Sequence, residues 1–386
     1  MRVCSLRFHL NRKGLKAPNP SMAAVAAMTK VTGPFLRSLP VTAITPASLP
    51  ATSLSPRTRA ITEFVLDNLV WFILGTVLIV FSLTIPQFFQ IGIFSNIIEQ
   101  SAVLGVMSIG LSLLIIAGHL DLSVESVAAL AAMVVAMLFA NSGAGLKYVL
   151  TPEWLVFPVS LAIALAAGAA IGATNAFFVV RLKMNAFIVT LASFIWVRGL
   201  VQKLPDGRSA QGLPDALRFL AIERYNVLYI PLIAWIAILC FVVFAFILKR
   251  TPFGRHLTLI GGNKIASFRA GIPTDRIITF TFILSGAIAG LSGWLLAIRT
   301  SGATANLGTG MLFQAFAAVV IGGVSLQGGV GRLSGVFAGV LLLSSIHTAI
   351  NLMSLPASYT QIILGLLVLA AVLLDTLKLS IRQRLT

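Results

Sequence analysis

The sequence predicts an all-α fold: a polytopic membrane protein of about ten transmembrane helices. Three observations predict it. Of 386 residues, 58% are hydrophobic and only 10% are charged, with a mean hydropathy of +0.98; a soluble domain carries about a quarter charged residues. Between residues 66 and 375, apolar runs follow one another through short polar connections, each near the roughly 20 residues that a span needs. The 28 Lys and Arg, set against 11 acids, collect in the connections and tails beside those runs, as cytoplasmic loops of membrane proteins do. That bias accounts for the net charge of +17, so nucleic acid is not an expected partner. The spans leave no room for a soluble enzymatic domain.

The first 60 residues stand apart. They hold Pro18, Pro20, Pro34, Pro40, Pro46, Pro50 and Pro56, many Ser and Thr, and nine Lys or Arg up to Arg59. Such a segment reads as a disordered basic tail. Residues 23–28 are too short for a span and make a poor signal-peptide core. A start at Met22 or Met28 is an alternative to a functional tail. From 61 onward the chain reads as one transmembrane domain.

Taken in order, span 1 is expected at 66–84, ended by Pro86, and span 2 at 97–117. The polar run Gly118-His119-Leu120-Asp121-Leu122-Ser123 interrupts the apolar stretch, and span 3 follows to residue 140. Span 4 ends before Arg181 and Lys183, span 5 covers 187–202, and a mixed-charge loop at 203–226 precedes span 6 at 227–248. Span 7 is expected at 277–298, a short span 8 at 312–322, span 9 up to residue 352 and span 10 at 359–374. Ten spans put both termini on one side. Placing the basic loop 249–276 inside also places there the N-terminal tail, Arg181, Lys183, Arg332, and the tail with Lys378, Arg382 and Arg384. The bias therefore favours both termini in the cytoplasm.

Loop 249–276 is the longest polar interruption in the C-terminal half. Lys249, Arg250, Arg255, Lys264, Arg269 and Arg276 face one acid, Asp275. It reads as a small structured element. The pair Gly261-Gly262 is expected to break the chain, and Asn263 to cap a helix. Ile265 and Phe268, three apart, share a face of that helix. Gly271 supplies a left-handed stop, and Pro273 prevents resumption. Such a capped helix either presses an apolar knob into another protein or lies on the lipid headgroups.

Asp121 is the costliest residue of the membrane portion, and an ionisable group there is by default a functional hypothesis. Next to Gly118 the backbone is expected to be broken, which is tolerated at membrane depth only beside protein or water. Asp121 or Ser123 could cap span 3, with Glu125 one turn on; solute contact and a proton relay are the other readings of Asp121. His119, a lone histidine, reads as structural. Asn175, Asn306, Thr309, Gln314, Asn351 and Gln361 are uncharged polar residues in or near spans. Such groups suit sugar hydroxyls and equally well bond helices together. Trp196, Trp235 and Trp294 are expected in the interfacial aromatic belt. Gly286, Gly290 and Gly293, and again Gly331, Gly335 and Gly339, form faces for close helix packing.

Several chemistries are absent from the sequence. The Gly-rich run 322–331 lacks the Gly-Lys-Ser/Thr end of a phosphate loop, and no such end occurs elsewhere. There is no HExxH, no paired Cys/His metal spacing and no Ser-His-Asp arrangement. No cofactor or metal is expected. Cys4 and Cys240 lie far apart and imply no disulfide framework.

Certain runs carry a resemblance. They are Asp121-Leu122-Ser123, Phe187-Ile188-Val189-Thr190-Leu191 with Arg198-Gly199, and Gly254-Arg255 with Ile260-Gly261-Gly262-Asn263 and Ala270-Gly271-Ile272. Ala317-Ala318-Val319-Val320-Ile321-Gly322-Gly323 and Gly328-Gly329-Val330-Gly331 complete them. Over 68–374 the chain resembles the ATP-binding-cassette permeases of the ribose/xylose/arabinose/galactose importers. The resemblance implies a type II-like importer permease, paired with a second permease copy, a cytoplasmic ATP-binding subunit and a periplasmic sugar-binding protein. It makes the helix within 254–272 a coupling helix, with Gly254, Arg255, Gly261, Gly262, Asn263, Ile265, Phe268 and Gly271 as its coupling residues. The solute path is then expected near Asp121, Ser123, Asn175, Gln314 and Asn351. The chain departs from the pattern at four places. Leu312 and Gln314 replace acids, Lys264 replaces the acid after Asn263, His119 replaces a Gly, and Glu125 stands where a Gly is usual. The alternative is an ion-coupled secondary transporter using Asp121 and Glu125; a membrane enzyme is a weaker third reading.

Overall fold

The computed structural model describes residues 56–376, apart from 149, 222–226, 228–229, 357, 360, 364, 371 and 374–375. Most of the predicted basic tail and the C-terminal Lys378, Arg382 and Arg384 lie outside the described residues. The helices, in chain order, are α1 (Pro56–Thr84), α2 (Ile91–Ile116), α3 (Val124–Phe139), α4 (Val156–Ala176), α5 (Ala186–Lys203) and α6 (Leu232–Arg250). They continue as α7 (Pro252–Gly262), α8 (Lys264–Arg269), α9 (Thr274–Arg299), α10 (Met311–Ile321) and α11 (Leu333–Leu352). A last apolar helix, α12, covers Gln361–Ala370. Among the described residues, six helices are long and apolar enough to cross a membrane, and four shorter apolar helices lie at 68–84, in α3, in α10 and in α12. Together they stand where the ten predicted spans stand.

The two ends of the bundle are distinct. At one end, three short strands join loops that are far apart in sequence. The strands are β1 (Ser142–Gly143), β2 (Ala210–Gln211) and β3 (Gly302–Ala303), antiparallel in the order β1-β2-β3. At the other end, the last carbonyl of α2, on Ile116, accepts from Gly329 N–H at 2.9 Å, and Gly261 packs between the two. The α2–α3 connection, the basic loop and the Gly-rich turn therefore share one end, here the basic end. This division agrees with the predicted span order.

The core is built on α9, which packs most closely against α4. The reason is in the small residues. A Cβ on Gly286 would strike the Gly168 carbonyl, and one on Gly290 would strike that of Ala164. Without side chains at the contact the two backbones approach closely, and dispersion replaces the hydrophobic drive that lipid does not supply. Of the predicted glycine faces, Gly293 also meets α3, at Ala128, and Gly335 and Gly339 meet Gly322 and Ala318. Helices α2 and α9 are mostly buried, whereas α4, α5 and α6 turn most of their surface outward. Trp294 corrects the expectation of an aromatic belt. It is fully buried, its Nε1 donates to Ser160 Oγ at 2.9 Å, and its ring meets Phe157 edge-on at 5.2 Å.

Helices α3 and α10 are too short to span. At 1.5 Å per residue their 16 and 11 residues reach roughly 24 and 17 Å, against a hydrocarbon core of about 30 Å. Their N-termini meet inside the bundle, and the candidate site forms there.

Candidate functional site

Connection 117–123 leaves the end of α2 and climbs into the bundle alongside α5. Gly118, at φ +79°, makes the turn. The Leu120 carbonyl then meets Thr190 Oγ1 at 3.4 Å, Ser126 Oγ donates to the Phe194 carbonyl at 2.8 Å, and Glu125 reaches Arg198. Each contact lies further along α5 than the one before. Without a helical ladder in this segment, its polar groups depend on such partners, because lipid offers none.

Asp121, only 1% exposed, closes the break. Its Oδ1 accepts from Ser123 N–H at 2.8 Å and from Ser123 Oγ–H at 2.6 Å. Ser123 Oγ in turn accepts from Asn175 Nδ2 at 3.0 Å, and Ser193 Oγ donates to Asn175 Oδ1 at 2.5 Å. Four buried side chains from the connection, α4 and α5 thus form one chain of hydrogen bonds. Asp121 does not bond to the N–H groups inside α3; it closes a turn onto Ser123, and Ser123, the residue before α3, bonds to other side chains rather than to its own helix.

Glu125 holds the second half of the junction. Its Oε1 accepts from Arg198 Nη2 at 2.6 Å, and its Oε2 accepts from the N–H groups of Gly310 at 3.1 Å and Leu312 at 2.9 Å. Arg198 also donates through Nη1 to the Leu307 carbonyl at 3.0 Å. A carboxylate at the start of α10 satisfies free N–H groups and complements the helix dipole. The buried carboxylate and the partly buried guanidinium neutralise each other. Two broken helices with N-termini meeting within the bundle are an arrangement that membrane transporters use at their solute sites.

Beyond Asp121, towards the basic end, lies a cavity of about 500 Å³. His119, Lys183, Asn185 and Lys264 contribute its polar wall, and Leu120 and Leu326 part of its apolar wall. His119 Nδ1 lies 2.8 Å from the Gly118 carbonyl, and its buried Nε2 has no hydrogen-bond partner. Helix α8 stands beside this cavity through Lys264.

Residues 93–372 match the family described as branched-chain amino acid transport system / permease component. The chain belongs to this permease family. Among its relatives, the ribose import permease protein RbsC of Haemophilus influenzae is 34% identical over 315 residues, 81% of this chain and 94% of that protein. The L-arabinose transport system permease protein AraH of Escherichia coli is 34% identical over 278 residues, 71% of this chain and 79% of its own. The ribose import permease protein RbsC of Bacillus subtilis is 34% identical over 302 residues, 78% and 89% of the two chains. No solved structure matches the chain. The resemblance drawn from the sequence motifs is borne out.

The permease splits the five predicted path residues. Asp121, Ser123 and Asn175 meet in one network, as above. Asn351 is remote: α11 starts at the basic end, so Asn351 lies roughly 27 Å along its axis. There Asn351 Nδ2 is 3.3 Å from His347 Nδ1, which also meets Gln100 Nε2 at 2.7 Å. Gln314 lines a small recess with His347 and Ile350. Asn351 thus belongs to a second polar cluster with His347 and Gln100, nearer the strand end, and Gln314 lines the recess beside His347.

The predicted coupling residues form one compact corner. Thr251 caps α7, its Oγ1 accepting from Gly254 N–H at 3.4 Å, and a Cβ on Gly254 would collide with the Leu248 backbone where α6 turns into α7. Arg255 is exposed on α7. The glycine pair needs a correction: α7 runs through Gly261 and Gly262, and the break falls on Asn263, extended at φ −159° and ψ 100°. Gly261 is glycine because a Cβ would overlap the Ile116 carbonyl, while one on Gly262 would meet nothing within 4 Å. Asn263 Oδ1 accepts from Ala266 N–H at 2.9 Å, so it caps α8 as predicted. Gly271, at φ +83°, ends the element. Ile265 and Phe268 are 67% and 70% exposed on a helix of six residues.

Sequence reasoning missed the Glu125–Arg198 pair. A signal was present. Arg198 is the one basic residue inside predicted span 5, and a charge in a span needs a named partner. The partner lies 73 residues away, and spacing along one helix does not reveal it. Ser193, which completes the Asn175 network, had no distinguishing signal.

Proposed function

We propose that this permease is the membrane-spanning subunit of an ATP-binding-cassette importer for a monosaccharide or a similarly polar small molecule in the bacterial inner membrane. A separate cytoplasmic ATP-binding subunit hydrolyses ATP, a periplasmic sugar-binding protein delivers the solute, and a second permease copy completes the path. Both termini and loop 249–276 face the cytoplasm. The sugar class rests on the relatives, whose names concern ribose and arabinose.

One observation carries the reading: Ile265 and Phe268 project from a capped, stopped helix at the basic end. Water or headgroups would satisfy a slack basic loop. An exposed apolar pair on a six-residue helix, wedged by Gly261 against Ile116 and Gly329, is a rigid knob suited to a socket in a partner. Push on α8 reaches the end of α2 and the Gly-rich turn through that wedge, and through connection 117–123 it reaches the Asp121 network. Ser123 and Asn175 are engaged within the Asp121 network, so the uncharged groups that suit a solute of hydroxyl groups are Gln314 and Asn351 at the other level. The ion-coupled alternative has less to work with, because Glu125 is engaged at both oxygens and Asp121 is bonded to Ser123.

The test is uptake of radiolabelled ribose and L-arabinose by vesicles. Uptake is expected only when an ATP-binding subunit, its ATP and a binding protein are present. Vesicles that hold this polypeptide alone and accumulate solute uphill would overturn the proposal. So would outside labelling of Phe268→Cys in intact cells by a reagent that does not cross membranes.

A further inference from the structure

We propose that the groove between α4 and α9 at the basic end is a site for an acidic phospholipid, whose phosphate sits between Arg181 and Arg276. The inner-leaflet assignment rests on the orientation proposed above.

The groove has a volume of about 770 Å³. Its floor is apolar, with Phe177, Val180, Phe280 and Ile283, and its rim is basic, with Arg181 and Arg276. Phe177 and Phe280 are both more than half exposed. One acid stands on the rim, Asp275, and it is shared by two ammonium groups, Lys183 and Lys264, each at 3.9 Å. Arg181 and Arg276 have no acid partner among the described residues. The groove therefore offers two free guanidinium groups above an apolar trough. A guanidinium matches a phosphate with two parallel hydrogen bonds, and basic pockets between spanning helices on the cytoplasmic side receive anionic headgroups.

The backbone shapes this wall in an uncommon way. Helix α4 ends in a π-turn over Phe177–Arg181, in which Leu182 N–H donates to the Phe177 carbonyl at 3.2 Å. Lys183 follows in the left-handed region at φ +57°. Such wide turns are rare and frequent at functional sites. Here the turn carries Phe177 and Arg181 to the same groove, one at the floor and one at the rim.

A second copy of the chain is a poorer occupant. A two-fold contact places the same patch on both partners, so the basic rim of one copy would stand against the basic rim of the other and repel. An acidic lipid matches both the charge and the apolar floor.

The experiment is native mass spectrometry of the full permease in a neutral detergent. It is incubated separately with dioleoylphosphatidylglycerol, with dioleoylphosphatidylcholine, and with inorganic phosphate added against the bound glycerol lipid. The permease should retain one phosphatidylglycerol, favoured over phosphatidylcholine by about tenfold. R181Q/R276Q should abolish that preference, and K249Q/R250Q, at the end of α6, should keep it. I283W, which fills the trough and leaves both guanidinium groups, should also exclude the lipid. Equal retention of the two lipids, or a preference that survives R181Q/R276Q, overturns the proposal. Displacement of the lipid by phosphate assigns the groove to a free anion instead. A dimer that falls to monomer in R181Q/R276Q assigns it to a second copy. Retention in detergent depends neither on orientation nor on partners. A failure here thus leaves the importer reading standing, and a failure of uptake leaves this site standing.

Discussion

Two of the interruptions between helices, at 117–123 and at Asn263, differ in what surrounds them. Both place an Asx side chain just ahead of the next helix: Asp121 accepts from Ser123 N–H at 2.8 Å in the turn before α3, and Asn263 caps α8 by accepting from Ala266 N–H at 2.9 Å. Around Asp121, each side chain of the network has a protein partner, because a polar group left over at membrane depth costs several kcal/mol. Around Asn263, water would satisfy the backbone, and the exposed residues are the apolar Ile265 and Phe268. Where solvation forces every bond, the bonds are evidence of stability. Where it forces nothing, the surplus apolar surface points to a partner. Substitutions in the first break should therefore act on folding, and those in the second on transport with folding preserved.

The largest effect should come from Glu125→Gln. It leaves the partly buried Arg198 beside a neutral amide, and losing one member of a fully buried pair costs about 3–5 kcal/mol, an upper figure here. Thermal unfolding of the purified permease measures this. Replacing both partners with Met should cost less than the single change, since no lone charge remains; an equal loss would mean that α10 needs the carboxylate itself. Gly261→Val comes next, at about 1–3 kcal/mol or more, because the new atoms meet the Ile116 carbonyl and overpacking moves backbone. Gly262→Ala, with nothing within 4 Å, is the matched control and should be nearly silent in melting temperature.

Asn175→Ala should cost about 1–3 kcal/mol, because it leaves the Ser193 hydroxyl without its partner and removes one of the two side-chain bonds of the Ser123 hydroxyl. Asn263→Ala removes a cap that is worth about 1 kcal/mol, so its melting shift should be smaller than its loss of uptake. Phe268→Ala sharpens the comparison most. Exposed as it is, it should move stability by no more than about 0.5 kcal/mol, yet reduce partner-dependent uptake by about tenfold or more if it is a central interface anchor. Uptake unchanged in Phe268→Ala, with the ATP-binding subunit present, would remove the distinction between the two breaks.

The sequence carried much of this already. Apolar run length placed the spans to within a few residues for α3, α5, α9 and α10. Asn263 and Gly271 announced the limits of α8, because capping and left-handed turns are local chemistry. The Asp121 break was legible from an acid and a glycine in an apolar stretch. The Gly261-Gly262 pair was misread, because a glycine needed for close approach looks the same in sequence as one needed for a break. Gln314 and Asn351 were grouped with Asp121 on polarity alone, which says nothing of depth. Glu125 marked a departure from the permease pattern, as did Leu312 where an acid is usual. The structure relates the two departures: the carboxylate of Glu125 accepts from the N–H of Leu312 at the start of α10.

Membrane residence, the order of the spans and the knob on the basic loop were determined by the sequence alone, because hydropathy, charge and capping act over a few neighbouring residues. Tertiary structure decided which polar groups meet. Glu125 and Leu312 are 187 residues apart, and their bond exists because glycine-faced helices draw α3 and α10 together where lipid offers the free N–H groups of α10 no partner.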